Sequence, residues 1–205
     1  MPKIWGRTNS VNVKKALWAA EELGLAYERI DAGMQFGLVN TPEYRKLNPN
    51  GLIPTLEDNG FVLWESHAIV RYLAAKHGAG TLWPADLRVR ADADRWMDWT
   101  YTLGNALRPA FWGLLRTPPE KRDPTEIADS CKKTAELLRI VDDRLAGRAY
   151  IAGDSFTMGD IPLGCHVHQW FNVPIERPAL ANLQAWYQRL CARPAYAKIV
   201  NVPLS

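Results

Sequence analysis

An α/β unit followed by an all-helical unit is the fold class this sequence predicts, and three observations carry that expectation. Strand and helix signals alternate over residues 3–77 in the order βαβ, helix, ββ, helix. Two short apolar runs flank Asp58-Asn59-Gly60, whose Asn-Gly pair is a strong hairpin signal. From residue 87 onward, apolar side chains recur at steps of three and four with few strand signals. A chain of 205 residues suits one or two such compact units.

Residues 3–5, Lys-Ile-Trp, read as a short strand. Residues 10–23 follow as a helix, with Val13, Leu17 and Ala20 on one stripe and Gly24 as its stop. Residues 27–30 form a second strand and complete a βαβ unit. Thr41 caps a short helix that Asn48-Pro49-Asn50-Gly51 must end. Residues 53–57 and 61–64 are the hairpin strands. Glu65-Ser66 then open a helix with Ile69, Tyr72 and Leu73 on its inner side. The stretch 78–86, with Gly78, Gly80 and Pro84, reads as a linker that divides 1–77 from 87–205. Beyond it a long helix spans 87–116 through Trp96, Trp99, Leu103, Leu107, Ala110 and Leu114, kinked rather than stopped by Pro109. Further helices fit 125–145, 158–171 and 178–189. Thr157-Met158-Gly159-Asp160 has capping-box spacing, with Thr157 as N-cap, Asp160 reaching back, and Phe156 with Ile161 as the staple.

Composition excludes several classes of function. Hydrophobic residues at 47% and charged residues at 23% rule against disorder and coiled-coil rods. A net charge of +3 requires neither nucleic acid nor an anionic membrane as partner. No apolar run approaches the roughly 20 residues of a membrane span, and Met1-Pro2-Lys3-Ile4-Trp5 shows no signal peptide, so the cytoplasm is the expected compartment. Cys131, Cys165 and Cys191 lack CxxC spacing and read as buried thiols. His166 and His168, at i and i+2 on a helix, point to different faces, so no metal site is expected. The nine Trp residues suit both packing and an aromatic-lined pocket.

Three segments are candidates for binding. In Asn50-Gly51-Leu52-Ile53-Pro54, a cis Ile53–Pro54 bond is expected to turn the Ile53 N–H and C=O outward as a ladder for a peptide ligand. Glu65-Ser66 opens a helix, where free N–H groups and the Ser66 hydroxyl form an anion cradle and Glu65 is available to an ammonium. A ligand with both an α-carboxylate and an α-amino group fits. Thr8, Asn9, Ser10 and Asn12 lie between the first strand and first helix; capping is their ordinary role, yet this position also favours a thiolate or other anion.

Lys3-Ile4-Trp5-Gly6 with Ser10-Val11-Asn12, the run 47–54 (Leu-Asn-Pro-Asn-Gly-Leu-Ile-Pro), the run 64–73 (Trp-Glu-Ser-His-Ala-Ile-Val-Arg-Tyr-Leu) and Phe156-Thr157-Met158-Gly159-Asp160-Ile161 together resemble the glutathione transferase superfamily. The resemblance covers nearly the whole chain and leans toward serine-type phi and theta classes and bacterial relatives. It implies a thioredoxin-like N-terminal domain, a helical C-terminal domain, a homodimer, and conjugation of glutathione to small hydrophobic electrophiles. Ile53 would pair its backbone with the cysteinyl part of glutathione beside Pro54, and Leu52 belongs to the same turn at a position where many relatives carry Gln. Glu65 and Ser66 would hold the γ-glutamyl end. Ser10 falls on the phi-type S-x-N pattern as the catalytic serine, while other registers put Asn9 or Asn12 at that position.

The chemistry this implies is thiol activation. A free thiol with pKa about 8.5 is mostly protonated at neutral pH, so the enzyme must favour the thiolate. Tyr101, Arg108, Phe111, Trp112 and Trp170 are candidates for the electrophile wall. The rivals are a glutathione-dependent isomerase, dehalogenase or reductase, and a non-catalytic adaptor on the same fold. The absence of cysteine before Cys131 argues against a protein-thiol mechanism.

Overall fold

β1 (Lys3–Trp5) is the hub of a four-stranded sheet ordered β2-β1-β3-β4, in a computed structural model that describes residues 1–204. α1 (Val11–Glu22) crosses from β1 to β2 (Glu28–Ile30), which makes that pair parallel. β3 (Thr55–Asp58) and β4 (Phe61–Trp64) form the expected hairpin, and β3 runs antiparallel to β1. β3 starts two residues later than the sequence predicts, after the Ile53–Pro54 bond, which is cis. α2 (Pro42–Leu47) precedes it, capped by Thr41 Oγ1 accepting from the Tyr44 N–H at 3.2 Å.

α3 (Ser66–His77) completes the α/β part, and among the described residues the regular structure after it is helical apart from two isolated bridges. The intervening stretch is anchored by Leu82, 4% exposed, whose carbonyl accepts from Met158 N at 3.0 Å. α4 (Leu87–Leu115) runs through Pro109. A proline lacks one helical donor and crowds the preceding turn, and here the Ser130 hydroxyl repairs the ladder. Ser130 Oγ donates to Ala106 O at 2.5 Å and accepts from Ala110 N at 3.0 Å, where the two would otherwise bond each other.

α5 (Pro124–Leu145), α6 (Asp160–Asn172) and α7 (Ala181–Cys191) match expected helices with shifted ends, and α8 (Pro194–Ile199) is an addition the sequence did not announce. The N-cap of α6 is Gly159, not Thr157. Thr157 instead donates through N and Oγ1 to Asp160, whose carboxylate also accepts from Ile151 N and Trp186 Nε1. Asp160 is therefore the knot of the helical part as well as a reach-back cap. Of the cysteines, Cys165 is buried and Cys131 and Cys191 are half-buried.

α1 joins the two parts. Every residue from Val13 to Ala20 is buried, and Trp18 packs against Phe156 and Tyr196 with ring centroids 5.5 and 4.7 Å away. Gly164 makes room, since a Cβ there would stand 2.9 Å from the Trp18 ring. Glu22 closes the end of α1 with Arg193 at 2.6 Å. A Trp in such a site is worth about 3–5 kcal/mol against Ala, so α1 is held rigidly under whatever its first turn binds.

Candidate active site

Strand register gathers three segments at one end of the sheet. Thr55 stands opposite Trp5 on one side and Trp64 on the other. The chain therefore leaves β1 into residues 6–10, enters β3 from Ile53-Pro54, and leaves β4 into Glu65-Ser66 at the same edge. Gly6 lets the first loop approach the second, because a Cβ on it would lie 2.4 Å from Val13 and 3.4 Å from the Ile53 Cβ.

Ser10 occupies the N-cap position of α1, yet its side chain makes no capping hydrogen bond. Its hydroxyl has no partner among the described residues, and it lines a cleft of about 360 Å³. Asn9 and Asn12 line the same cleft with their carbonyl oxygens already engaged, Asn9 Oδ1 by Arg7 at 2.8 Å and Asn12 Oδ1 by Lys15 at 3.0 Å. Each amide N–H2 remains as a donor. The start of α1 adds unpaired backbone N–H groups and the positive end of the helix dipole.

The second segment is set by α2. Tyr44 Oη and Asn48 Nδ2 donate to the Leu52 carbonyl at 2.7 and 2.9 Å, which fixes the turn. Ile53 N–H and C=O have no hydrogen-bond partner among the described residues, and Leu52 is 63% exposed over the cleft. In the third segment Glu65 adopts φ 71°, ψ 114°. A non-glycine residue in that region stores about 1–3 kcal/mol of strain, typical of ligand-holding positions. Its carbonyl accepts from Ile69 N at 2.9 Å, while its exposed carboxylate is in no ion pair or hydrogen bond among the described residues. Ser66 is 4% exposed at the first turn of α3, its hydroxyl likewise unpartnered.

The far wall comes from α4. Tyr101, Arg108, Phe111 and Trp112 line the cleft, with Tyr101 tilted against His67 at 4.2 Å and Arg108 over the Trp112 ring at 5.9 Å. Trp170, expected beside them, is 1% exposed in the core and does not reach the cleft. His166, one turn earlier on α6, and Gln169 line it instead. Burial pushes the His166 imidazole down to about 3, so it is neutral there.

Sequence reasoning also missed Arg7, Lys15, Asn105 and Arg116, all of which line the cleft. The signal for Arg7 was its place in the same loop as Asn9, and for Lys15 its spacing of three from Asn12. Arg116 reaches over the Phe111 and Trp112 rings at 5.7 and 5.3 Å. Burial, then the neighbouring Arg116, lowers the Arg7 guanidinium. Among the described residues, four cations and no carboxylate line the space. Among the described residues no group of His, Cys, Asp and Glu could hold a metal ion, and no helix is long and apolar enough to cross a membrane.

Comparison with known proteins matches two family descriptions, "Glutathione S-transferase, N-terminal domain" over residues 2–75 and "Glutathione S-transferase, C-terminal domain" over residues 106–194. The chain is 47% identical to Glutathione S-transferase GstB of Escherichia coli K12, with all of both chains covered. Against the probable glutathione S-transferase GSTF1 of Oryza sativa it is 29% identical, covering 98% of this chain and 95% of that one. Among solved structures, the theta class glutathione S-transferase of Xanthomonas axonopodis pv. citri with glutathione bound superposes with a TM-score of 0.96 at 53% identity, covering 100% and 99% of the two chains.

Proposed function

The chain belongs to the glutathione S-transferase family, and from that premise we propose that its cleft binds glutathione and activates the thiol against a small electrophile that carries an anionic group. The observation that carries the first half is the Ser10 hydroxyl, which sits at the start of α1 and caps nothing. Free of that duty, it donates to the glutathione sulfur and favours the thiolate, aided by the helix start. The thiolate then forms a C–S bond to the electrophile as the leaving group departs with its bonding pair.

The remaining contacts follow from unpaired groups. The Ile53 N–H and C=O pair with the cysteinyl backbone of glutathione beside Pro54. Ser66 and the first N–H groups of α3 take the γ-glutamyl carboxylate, and Glu65 takes the ammonium. Asn9 and Asn12 are the alternative donors to sulfur. The first cysteine in the chain is Cys131, on α5, so no protein thiol supports disulfide exchange at this loop.

Arg7, Lys15 and Arg108, with no acid among the described lining residues, support the second half. An aromatic halide lies against Phe111 and Trp112 while its carboxylate meets a guanidinium, the geometry in which Arg binds oxyanions best. The test compares 4-chloro-3-nitrobenzoate with 1-chloro-2,4-dinitrobenzene, each rate divided by its uncatalysed rate with glutathione. A larger enhancement for the benzoate is expected; a larger one for the neutral substrate contradicts the anionic preference, and no enhancement for either contradicts the activity.

Assembly as a homodimer belongs to the same proposal. Phe61 on β4 and Leu87 at the start of α4 are 48% and 69% exposed, apolar surface that a two-fold interface would cover.

A further inference from the structure

Lys15 is 2% exposed and lines the cleft. Its Nζ donates to Asn12 Oδ1 at 3.0 Å and meets His67 Nε2 at 3.0 Å. An ammonium has no lone pair, so His67 accepts at Nε2 and carries its proton on Nδ1. No carboxylate is in ion-pair contact with Lys15 among the described residues.

The groups packed around it do not neutralise it. From the α3 side come His67 and, at longer range, Glu65; from α6 come Cys165 and His166. Tyr101 of α4 lies tilted against His67, and Tyr196 of α8 faces Cys165. Burial, then Lys15 itself, pushes His67 down to about 2 and His166 down to about 3. Burial pushes the Cys165 thiol up to about 12. All three are neutral near pH 7, whereas Lys15, lowered by burial to about 8, is still largely protonated. A buried cation with two neutral acceptors and no counter-ion in contact among the described residues, about one and a half helical turns from Ser10, calls for an anion from outside the protein.

We propose that Lys15 is a positioning residue for the glutathione thiolate: it holds Asn12 Oδ1 so that the Asn12 amide N–H2 faces the cleft, and it supplies positive charge where the sulfur ionises. This rests on glutathione binding in the cleft. Lys15 and the thiolate are then partners in one ionisation equilibrium, so each must shift the other.

The test uses Lys15→Met and Lys15→Gln with two ligands, glutathione and S-methylglutathione, which cannot form a thiolate. In both variants the midpoint of thiolate absorbance against pH should rise by about one unit or more, the usual effect of losing a nearby opposite charge. Affinity for S-methylglutathione should change less than about twofold, and Lys15→Arg should recover part of the shift. An unchanged midpoint, or an equal loss of affinity for both ligands, overturns the proposal, the second because it marks Lys15 as merely structural. Absence of S-methylglutathione binding to the unsubstituted protein instead overturns the functional reading on which it rests. Should neither variant fold, nitrogen NMR of the unsubstituted protein decides: glutathione must raise the Lys15 midpoint above its value with S-methylglutathione, and equal midpoints overturn the proposal.

Discussion

Thr55 and Trp64 are opposite each other as the last pair of the β3–β4 hairpin. One residue beyond them lie Pro54 and Glu65, so the two halves of the proposed peptide contact leave the sheet side by side. Glu65→Ala and Ser66→Ala should each raise the glutathione dissociation constant about tenfold or more, the loss of a charge-assisted contact worth about 1.5–3 kcal/mol. Calorimetry checks this. Because a glycine relieves the strain at φ 71°, Glu65→Gly should weaken binding while raising the melting temperature relative to Glu65→Ala.

Arg108 tests the choice of electrophile, since it is exposed at the wall and its loss leaves the core untouched. Arg108→Ala should raise KM for 4-chloro-3-nitrobenzoate about tenfold, as expected for one lost charge-assisted hydrogen bond. It should leave 1-chloro-2,4-dinitrobenzene nearly unaffected. Equal losses for both substrates would mean that Arg108 only shapes the pocket.

The strands and the helices through α7 were legible in the sequence, whereas α8 and the cleft-facing residues of α6 were not. β1, the hairpin, α3 and α4 follow from Asn59-Gly60 and from apolar spacing. α8 has six residues, too few to show a period, and exists because Tyr196 and Val200 are buried against the rest. α6 is buried from Asp160 to Trp170, so hydrophobicity could not tell which of its residues, Trp170 or His166 and Gln169, reach the cleft. Ser10 was visible as a cap candidate, whereas only the structure reveals that its hydroxyl caps nothing. Lys15 was hidden because a lysine between Lys14 and Ala16 looks like solvated surface.

Buried histidines set the acid limit of stability. His67, His166 and His168 are pushed down to about 2, 3 and 4, chiefly by burial. Unfolding returns them to 6.5, so the unfolded chain binds more protons below that pH. Their contribution is present above 6.5 and is lost as pH falls from there toward their folded values, at up to about 1.4 kcal/mol per pH unit for each. Asp160, pushed up to about 6 by burial, opposes them with one proton against three. Melting temperature should therefore fall steeply between pH 6.5 and 4, and His168→Gln should flatten that slope. An unchanged slope would show that His168 is not buried in its neutral form.

Dimer formation through the faces of β4, α3 and α4 predicts that sedimentation equilibrium at micromolar concentration returns twice the chain mass. Phe61→Glu together with Leu87→Glu should return the single-chain mass by placing charges in an apolar contact. A dimer that survives both substitutions would put the interface elsewhere.

Ser10 carries the central claim, and the direct measurement is thiolate absorbance of bound glutathione followed against pH in Ser10→Ala, with Asn9→Ala and Asn12→Ala beside it. The account predicts that the Ser10→Ala midpoint rises by about one to two units, as loss of a hydrogen bond worth about 1.5–3 kcal/mol requires. In step with it, kcat/KM at neutral pH should fall about 10–100-fold and recover at high pH, where the thiolate forms unaided. An unshifted midpoint in Ser10→Ala, with a raised one in Asn9→Ala or Asn12→Ala, would contradict the account and move the role to that asparagine.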